Sequence, residues 1–245
     1  MGRAKRTRGI IRIKTILLSI FALFLVLGLS GAGYFGVKGY QMYQSAVKEH
    51  PIAEIADAVR EQEGFTTYEE LPKIYIDAVI AAEDKRFESH CGIDALAIIR
   101  AVGKDLTTLS FAEGGSTITQ QIAKNQLFTQ EKQVERKAAE VFAAFALEQE
   151  YSKQELFEIY VNTIYFGSGY YGIYDAAQGY FQKKPQDLTD YEAVMLAGLP
   201  NAPSAYSPNS SKELATKRMS VVLERMIACG SLTKKQAAEI FNEKS

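Results

Sequence analysis

Residues 15–37 (TILLSIFALFLVLGLSGAGYFGV) run for 23 positions without a charge, directly behind a head that holds Arg3, Lys5, Arg6, Arg8, Arg12 and Lys14 and no acid. At about 1.5 Å per residue a helix of that length reaches roughly 35 Å, enough to cross a hydrocarbon core. Cations on one flank only predict the amino terminus in the cytoplasm and the chain after about residue 40 on the outer side. A cleaved signal peptide competes with this reading, because Ser30-Gly31-Ala32 offers small residues at a cleavage-like site. The apolar run continues through Tyr34, Phe35 and Val37, which a signal peptide does not need, so a retained single-pass anchor fits better. A buried core helix fits poorly beside six clustered cations.

The head also changes the meaning of the net charge. Its +6 leaves the rest of the chain at −7 for an overall −1. An acidic body lacks the basic face that neutralises phosphates, so nucleic acid is excluded as a partner. The 245 residues, with only 6 Pro and 18 Gly, leave no room for a long flexible linker. The expected organisation is a cytoplasmic head (1–14), an anchor (15–37), a juxtamembrane connection (38–64) and one domain (65–245). Cys91 and Cys229 lie far apart with no CxxC or His-rich companion. They point to no metal site, and two unpaired thiols acting as small hydrophobes is preferred over one disulfide.

Beyond the anchor the pattern is helix after helix. Ile74, Ala78, Ala81 and Ala82 repeat at helical spacing after Pro72; Ile93, Leu96, Ile99, Val102 and Leu106 form a second stripe, and Val134, Ala138, Val141, Phe142 and Phe145 a third. Capping boxes are predicted at Ser152/Glu155, Thr189/Glu192, Ser210/Glu213 and Thr233/Gln236, and Gly230 is a helix stop. No sustained period-two alternation occurs, so the body is mainly α.

Three polar stretches interrupt this pattern. In 82–94, Glu83 and Asp84 sit at the carboxyl end of an apolar helix, against the negative end of its dipole. A carboxylate desolvated there has a raised pKa, which suits a general base; taken alone, the stretch is better explained as a solvated acidic turn. In 113–125, Gly114-Gly115 leads into a helix start with Ser116, Thr117, Thr119, Gln120, Gln121, Lys124 and Asn125, a density of donors that suits sugar or phosphate. In 132–140, Arg136 and Glu140 at i,i+4, with Lys137 beside them, make a mixed-charge patch that is otherwise an ordinary surface ion pair.

In order, EDKRFESHCGID (83–94), GGSTITQQIAKN (114–125), RKAAE (136–140), KQELFEIYVN (153–162) and RMSVVL (218–223) resemble the sequence blocks of the peptidoglycan glycosyltransferase family (glycosyltransferase family 51), in particular its monofunctional biosynthetic peptidoglycan transglycosylases. The resemblance covers about residues 65–230. It implies a mainly α, lysozyme-like domain behind one transmembrane helix. The implied reaction polymerises lipid II on the outer face of the cytoplasmic membrane: the 4-hydroxyl of an acceptor GlcNAc attacks the donor MurNAc anomeric carbon, inverts it and expels undecaprenyl diphosphate. By match, Glu83 is the base and Glu140 the second essential glutamate, placed near the donor diphosphate and holding a divalent cation, Mg²⁺; no organic cofactor is implied. Lys124, Arg136 and Lys137 match donor-side cations. Ser116, Gln120, Gln121 and Asn125 match positions that bind sugar and phosphate, and Asp84, Phe87, His90 and Asp94 shape the surroundings of the base. Implied partners are the lipid II donor, the growing lipid-linked glycan, the membrane and penicillin-binding transpeptidases.

Glu158 and Asn162 are expected to brace the scaffold, Arg218 to pair with a buried carboxylate or to serve packing, and the Tyr- and Gly-rich segment 165–174 to pack on the core rather than face sugar. Leu106, Leu109 and Phe111 match a membrane-dipping patch. Ser45–Lys48 fits SxxK and Ser207–Asn209 fits SxN, yet no KTG occurs, so no transpeptidase domain is expected. Two rival classes remain: a lysozyme-like hydrolase or lytic transglycosylase, which does not need donor-side cations beside a second glutamate, and a noncatalytic membrane scaffold.

Overall fold

The structure, a computed structural model, describes residues 2–100, 115–128 and 134–243. The stretch holding Leu106, Leu109 and Phe111 lies outside the described residues, as do Val102, Gly114 and Lys132.

Helix α1 (Gly2–Glu49) is continuous over 48 residues, and its segment Leu18–Glu49 contains a window of mean hydropathy 2.0 that is unburied. It is the one described helix long and apolar enough to cross a membrane. The connection expected at 38–64 is not a free tether. Helix α1 runs on through it to Glu49, Gly39 is buried against a later helix, and α2 (Ile55–Arg60) buries Ile55, Ala56 and Val59 in the domain core.

The core is built by α3 (Lys73–Glu83), α9 (Asp190–Gly198) and α11 (Lys212–Cys229), which pack on one another, and by α5 (Ile118–Leu127) between α6 (Val134–Glu150) and α7 (Lys153–Thr163). A short helix, α4, starts at residue 95 and is described to residue 100. Helices α8 (Ile173–Phe181), α10 (Pro203–Tyr206) and α12 (Lys234–Asn242) complete the body. The fold is mainly α, as expected.

Local signals set most boundaries. Capping boxes form at Thr67, Thr117, Ser152, Thr189 and Thr233, and Gly230 ends α11 in the left-handed region at φ 79°. The start of α11 differs by one position from expectation: Ser211, not Ser210, accepts from the Leu214 N–H. Among the described residues the one departure toward β structure is a hairpin, β1 (Tyr165–Gly167) with β2 (Tyr170–Tyr171), in register Tyr165↔Tyr171. Phe166 is buried and Tyr170 stacks edge-on to Tyr180 at 5.0 Å, so this segment packs inward as expected.

Two stripes behave differently from their periodicity. On α6 the core face is Ala139, Glu140, Ala143, Ala144 and Leu147, whereas Ala138 and Phe142 of the predicted stripe face α1. Helix α6 carries two apolar faces, and only packing assigns them. On α4, Leu96 and Ile99 are exposed. Cys91 and Cys229 are unpaired as expected, but both are exposed rather than buried hydrophobes.

Candidate active site

Glu83 is the last residue of α3, where six buried apolar neighbours on the same helix carry it to the edge of the core. Its Oε2 accepts from Gln121 Nε2 at 2.9 Å, while Oε1 lies 3.9 Å from Arg218 Nη2 and has no hydrogen-bond partner among the described residues. Burial raises its pKa; the Gln121 bond, Arg218 and Arg225 pull it back, and Asp84 adds to the rise. The result is an oriented carboxylate with one free oxygen, more basic than an exposed glutamate.

Asp84 borders the same site as Glu83, but its carboxylate is already engaged. Its buried carboxylate lies 2.8 Å from His90 Nε2 and accepts from the Ile118 N–H at 3.0 Å, so it ties the end of α3 to the start of α5. His90 is correspondingly buried, and Phe87 is wholly enclosed, with Lys153 Nζ 4.5 Å from its ring centre. Counted with the substrate-binding residues from sequence, these three occupy the layer beneath the base. Asp94 likewise caps α4 through the Ala97 N–H and pairs with Arg86, whose guanidinium holds its pKa down to about 2.

The start of α5 is held from the same layer. Thr117 Oγ1 accepts from the Gln120 N–H and donates to the Gly92 carbonyl at 2.6 Å, and Gln120 Oε1 accepts from the Thr117 N–H. Gly92 adopts φ +83°, and a Cβ there would lie 3.0 Å from the Ala144 backbone, so the loop needs glycine. Gln120, expected among the substrate-binding residues, is buried in this capping box, where it holds the start of α5. Gln121, Lys124 and Asn125 share the next face of the helix, by their three- and four-residue spacing. Lys124 and Asn125 are half-buried with no side-chain partner among the described residues.

Glu140 is buried on α6, held by Arg136 Nε at 3.2 Å and Lys137 Nζ at 2.7 Å. Lys137 also donates to Ser116 Oγ at 2.7 Å, which joins this clamp to the wall around Glu83. No group of three or more metal-binding side chains occurs among the described residues, and both Glu140 oxygens are engaged by cations. The described residues do not by themselves build a divalent-cation site; the expectation for Glu140 concerns a cation shared with the donor diphosphate.

A cavity of about 290 Å³ opens beside Glu83, lined also by Ser116, Arg86, Arg100 and Arg225. Sequence reading missed Arg225, whose guanidinium donates to the Ala82 carbonyl and so braces the last turn of α3 from α11. Its seven-residue offset from Arg218, two turns along one helix, was the available signal. Arg218 pairs with the buried Glu83, one of the two roles expected, and donates to the Gly198 carbonyl at 3.1 Å. Glu158 accepts from the Tyr68 N–H at 2.8 Å and Asn162 bonds both backbone groups of Thr66, which places them in the scaffold.

The family model described as "Transglycosylase" matches residues 48–227. The chain belongs to the transglycosylase family. The transglycosylase domain is 45% identical over 179 residues to "Penicillin-binding protein 1A" of Neisseria flavescens, covering 73% of this chain and 22% of that protein. It is 49% identical over 166 residues to "Penicillin-binding protein 1A" of Vibrio cholerae (68% and 20%) and 44% over 184 residues to "Penicillin-binding protein 1F" of Bacillus subtilis (75% and 26%). The chain thus spans about a fifth to a quarter of the length of these relatives. The transglycosylase match begins inside α1, at its last two residues, and takes in both the Glu83 wall and the Glu140 clamp.

Proposed function

We propose that this chain is a membrane-anchored peptidoglycan glycosyltransferase that polymerises lipid II into glycan strands by inverting transfer, with release of undecaprenyl diphosphate. The observation that carries this reading is a buried carboxylate with one oxygen lacking a hydrogen bond, in a cavity also lined by Ser116, which accepts from Lys137 of the cation clamp on Glu140. In the reaction, Glu83 Oε1 takes the proton of the acceptor 4-hydroxyl as that oxygen forms its bond to the donor anomeric carbon. The bond to the lipid diphosphate breaks on the opposite side, and its electrons leave with the phosphate. A diphosphate departs as an anion, so Lys137, Arg136 and Lys124 serve better than a proton donor. Ser116 and Asn125 supply further donors to sugar and phosphate. No step is routed through a protein-held metal; a divalent cation on this reading arrives with the diphosphate.

The apolar stretch of α1 and its basic flank support a single-pass anchor with the amino terminus inside and the domain on the outer face of the cytoplasmic membrane. No cross-linking chemistry is assigned to these residues. Ser45 Oγ donates to the Gln41 carbonyl within α1, and Ser207 is buried against Ser168 and Tyr180, so the two formal motif matches form no site. Penicillin-binding transpeptidases are proposed to receive the product.

Purified protein in lipid II vesicles is expected to yield lysozyme-sensitive polymer. Fragments released from finished glycan, with no polymer from lipid II, would instead establish the hydrolase reading.

A further inference from the structure

Gly39 lies two positions beyond the uncharged run and is buried against α6, where a Cβ would come within 2.5 Å of Ala138 Cβ and 2.9 Å of its carbonyl carbon. Only glycine permits this approach. Farther along, the Tyr40 and Tyr43 rings lie 5.3 and 6.3 Å from Phe142. Gly39 to Tyr43 and Ala138 to Phe142 are the same four-residue advance, so α1 and α6 run parallel and in step. That register puts Phe35 level with Val134, and Val37 and Lys38 level with Arg136 and Lys137. The last uncharged residue of the anchor therefore stands at the height of the two cations that hold Glu140. Val134 is apolar, 62% exposed, and one turn nearer the anchor's apolar end. Tyr34 and Phe35, whose rings are 5.4 Å apart, stand at the level of Val134, where aromatic side chains mark a membrane interface.

We propose that the Gly39–Ala138 seat is a depth register: it fixes the Arg136–Lys137–Glu140 clamp at the plane where hydrocarbon gives way to anionic lipid headgroups. Gly39 is then a positioning residue, and the surface that it serves is the bilayer itself. This inference rests on the anchored-polymerase reading. A diphosphate tethered to a lipid reaches the clamp only if both lie at one height. Each helical residue added between anchor and seat lifts the clamp by about 1.5 Å, and seven lift it by about 10 Å while returning it to within roughly 20° of its original direction.

The test uses the full chain in lipid vesicles, with and without a seven-residue Ala/Glu/Lys helical insertion between Val37 and Lys38. The chain has no Trp, so Val134→Trp reports depth on a silent background. Lipids spin-labelled at the headgroup boundary are expected to quench this fluorophore strongly in the parent and several-fold less in the insertion variant. Polymerisation of vesicle-embedded lipid II is expected to fall at least about tenfold with the insertion, while activity on detergent-dispersed substrate stays within about twofold. Equal quenching, or equal activity loss in both media, would overturn the depth register. A parent protein that makes no polymer in either medium would sink the polymerase reading, while the quenching comparison would still decide the register.

Discussion

Gln121 Nε2 donates to Glu83 Oε2 at 2.9 Å, a bond between α5 and the end of α3 across 38 positions of sequence. It holds the carboxylate at one oxygen and leaves the other buried without a hydrogen bond, and it is the strongest of the contacts that restrain the rise of the Glu83 pKa. Removing it has a consequence of definite sign.

Gln121→Leu removes a donor to the ionised form, so the Glu83 pKa climbs further and the acid limb of the rate profile moves to higher pH. At neutral pH kcat is expected to fall on the order of tenfold, with KM changed less. Initial polymerisation rates over a pH series check this; a lowered rate with an unmoved limb contradicts the orienting role.

Glu83→Gln is expected to lower polymerisation by about 10²- to 10⁴-fold. It is also expected to stabilise the fold in a pH-dependent way. Because the folded pKa is raised, the stability contributed by protonated Glu83 is complete below its unfolded value near about 4.3 and is lost as pH rises through the folded value. The variant stays neutral throughout, so its melting temperature should exceed the parent's by a margin that grows from acid to neutral pH. Thermal melts at two pH values measure it, and a constant margin would argue against desolvation.

Lys137→Met leaves buried Glu140 held by Arg136 and frees Ser116. A loss of about 1–2 kcal/mol in stability is expected, since the bond removed is to a charged group. The KM for the lipid-diphosphate donor should rise about tenfold. Adding Glu140→Gln should recover part of that stability, because the buried carboxylate charge is removed while Arg136 loses its ion-pair partner, without restoring KM. Recovery of both would reduce the clamp to a structural pair.

Thr117→Val deletes the cap of α5 and the bond to Gly92. Loss of such a cap costs about 1–2 kcal/mol. Urea unfolding should show the lower midpoint at an unchanged slope. Stability equal to that of the parent would mean that Asp84, through the Ile118 N–H, holds the helix start alone.

Much of the architecture was legible because its signals are local. Thr189 with Glu192 and Gly230 at a helix end act within one turn of chain, and the structure repeats them where the sequence places them. The site was legible as a set of residue types and less so as roles. Gln120 and Gln121 are adjacent and chemically identical, yet one closes a capping box and the other holds the base; a rotation of about 100° around α5 separates them. Asp84 and Glu83 both line the cavity, yet the Asp84 carboxylate is taken up by His90 and the Ile118 N–H while Glu83 keeps one oxygen without a hydrogen bond. Arg225 reaches the Ala82 carbonyl across 143 positions, a distance over which no periodicity carries information.

From the sequence alone came the uncharged run, its basic flank, the succession of helices and the ordered blocks that place the chain in its family, because hydropathy, capping and motif spacing are properties of contiguous residues. The tertiary structure decided which face of α6 meets the core and which meets the anchor, which glutamine orients Glu83, and how cations enclose Glu140. Those outcomes depend on the packing of helices remote in sequence, where steric fit at a position such as Gly39 selects one register among several that the local pattern allows.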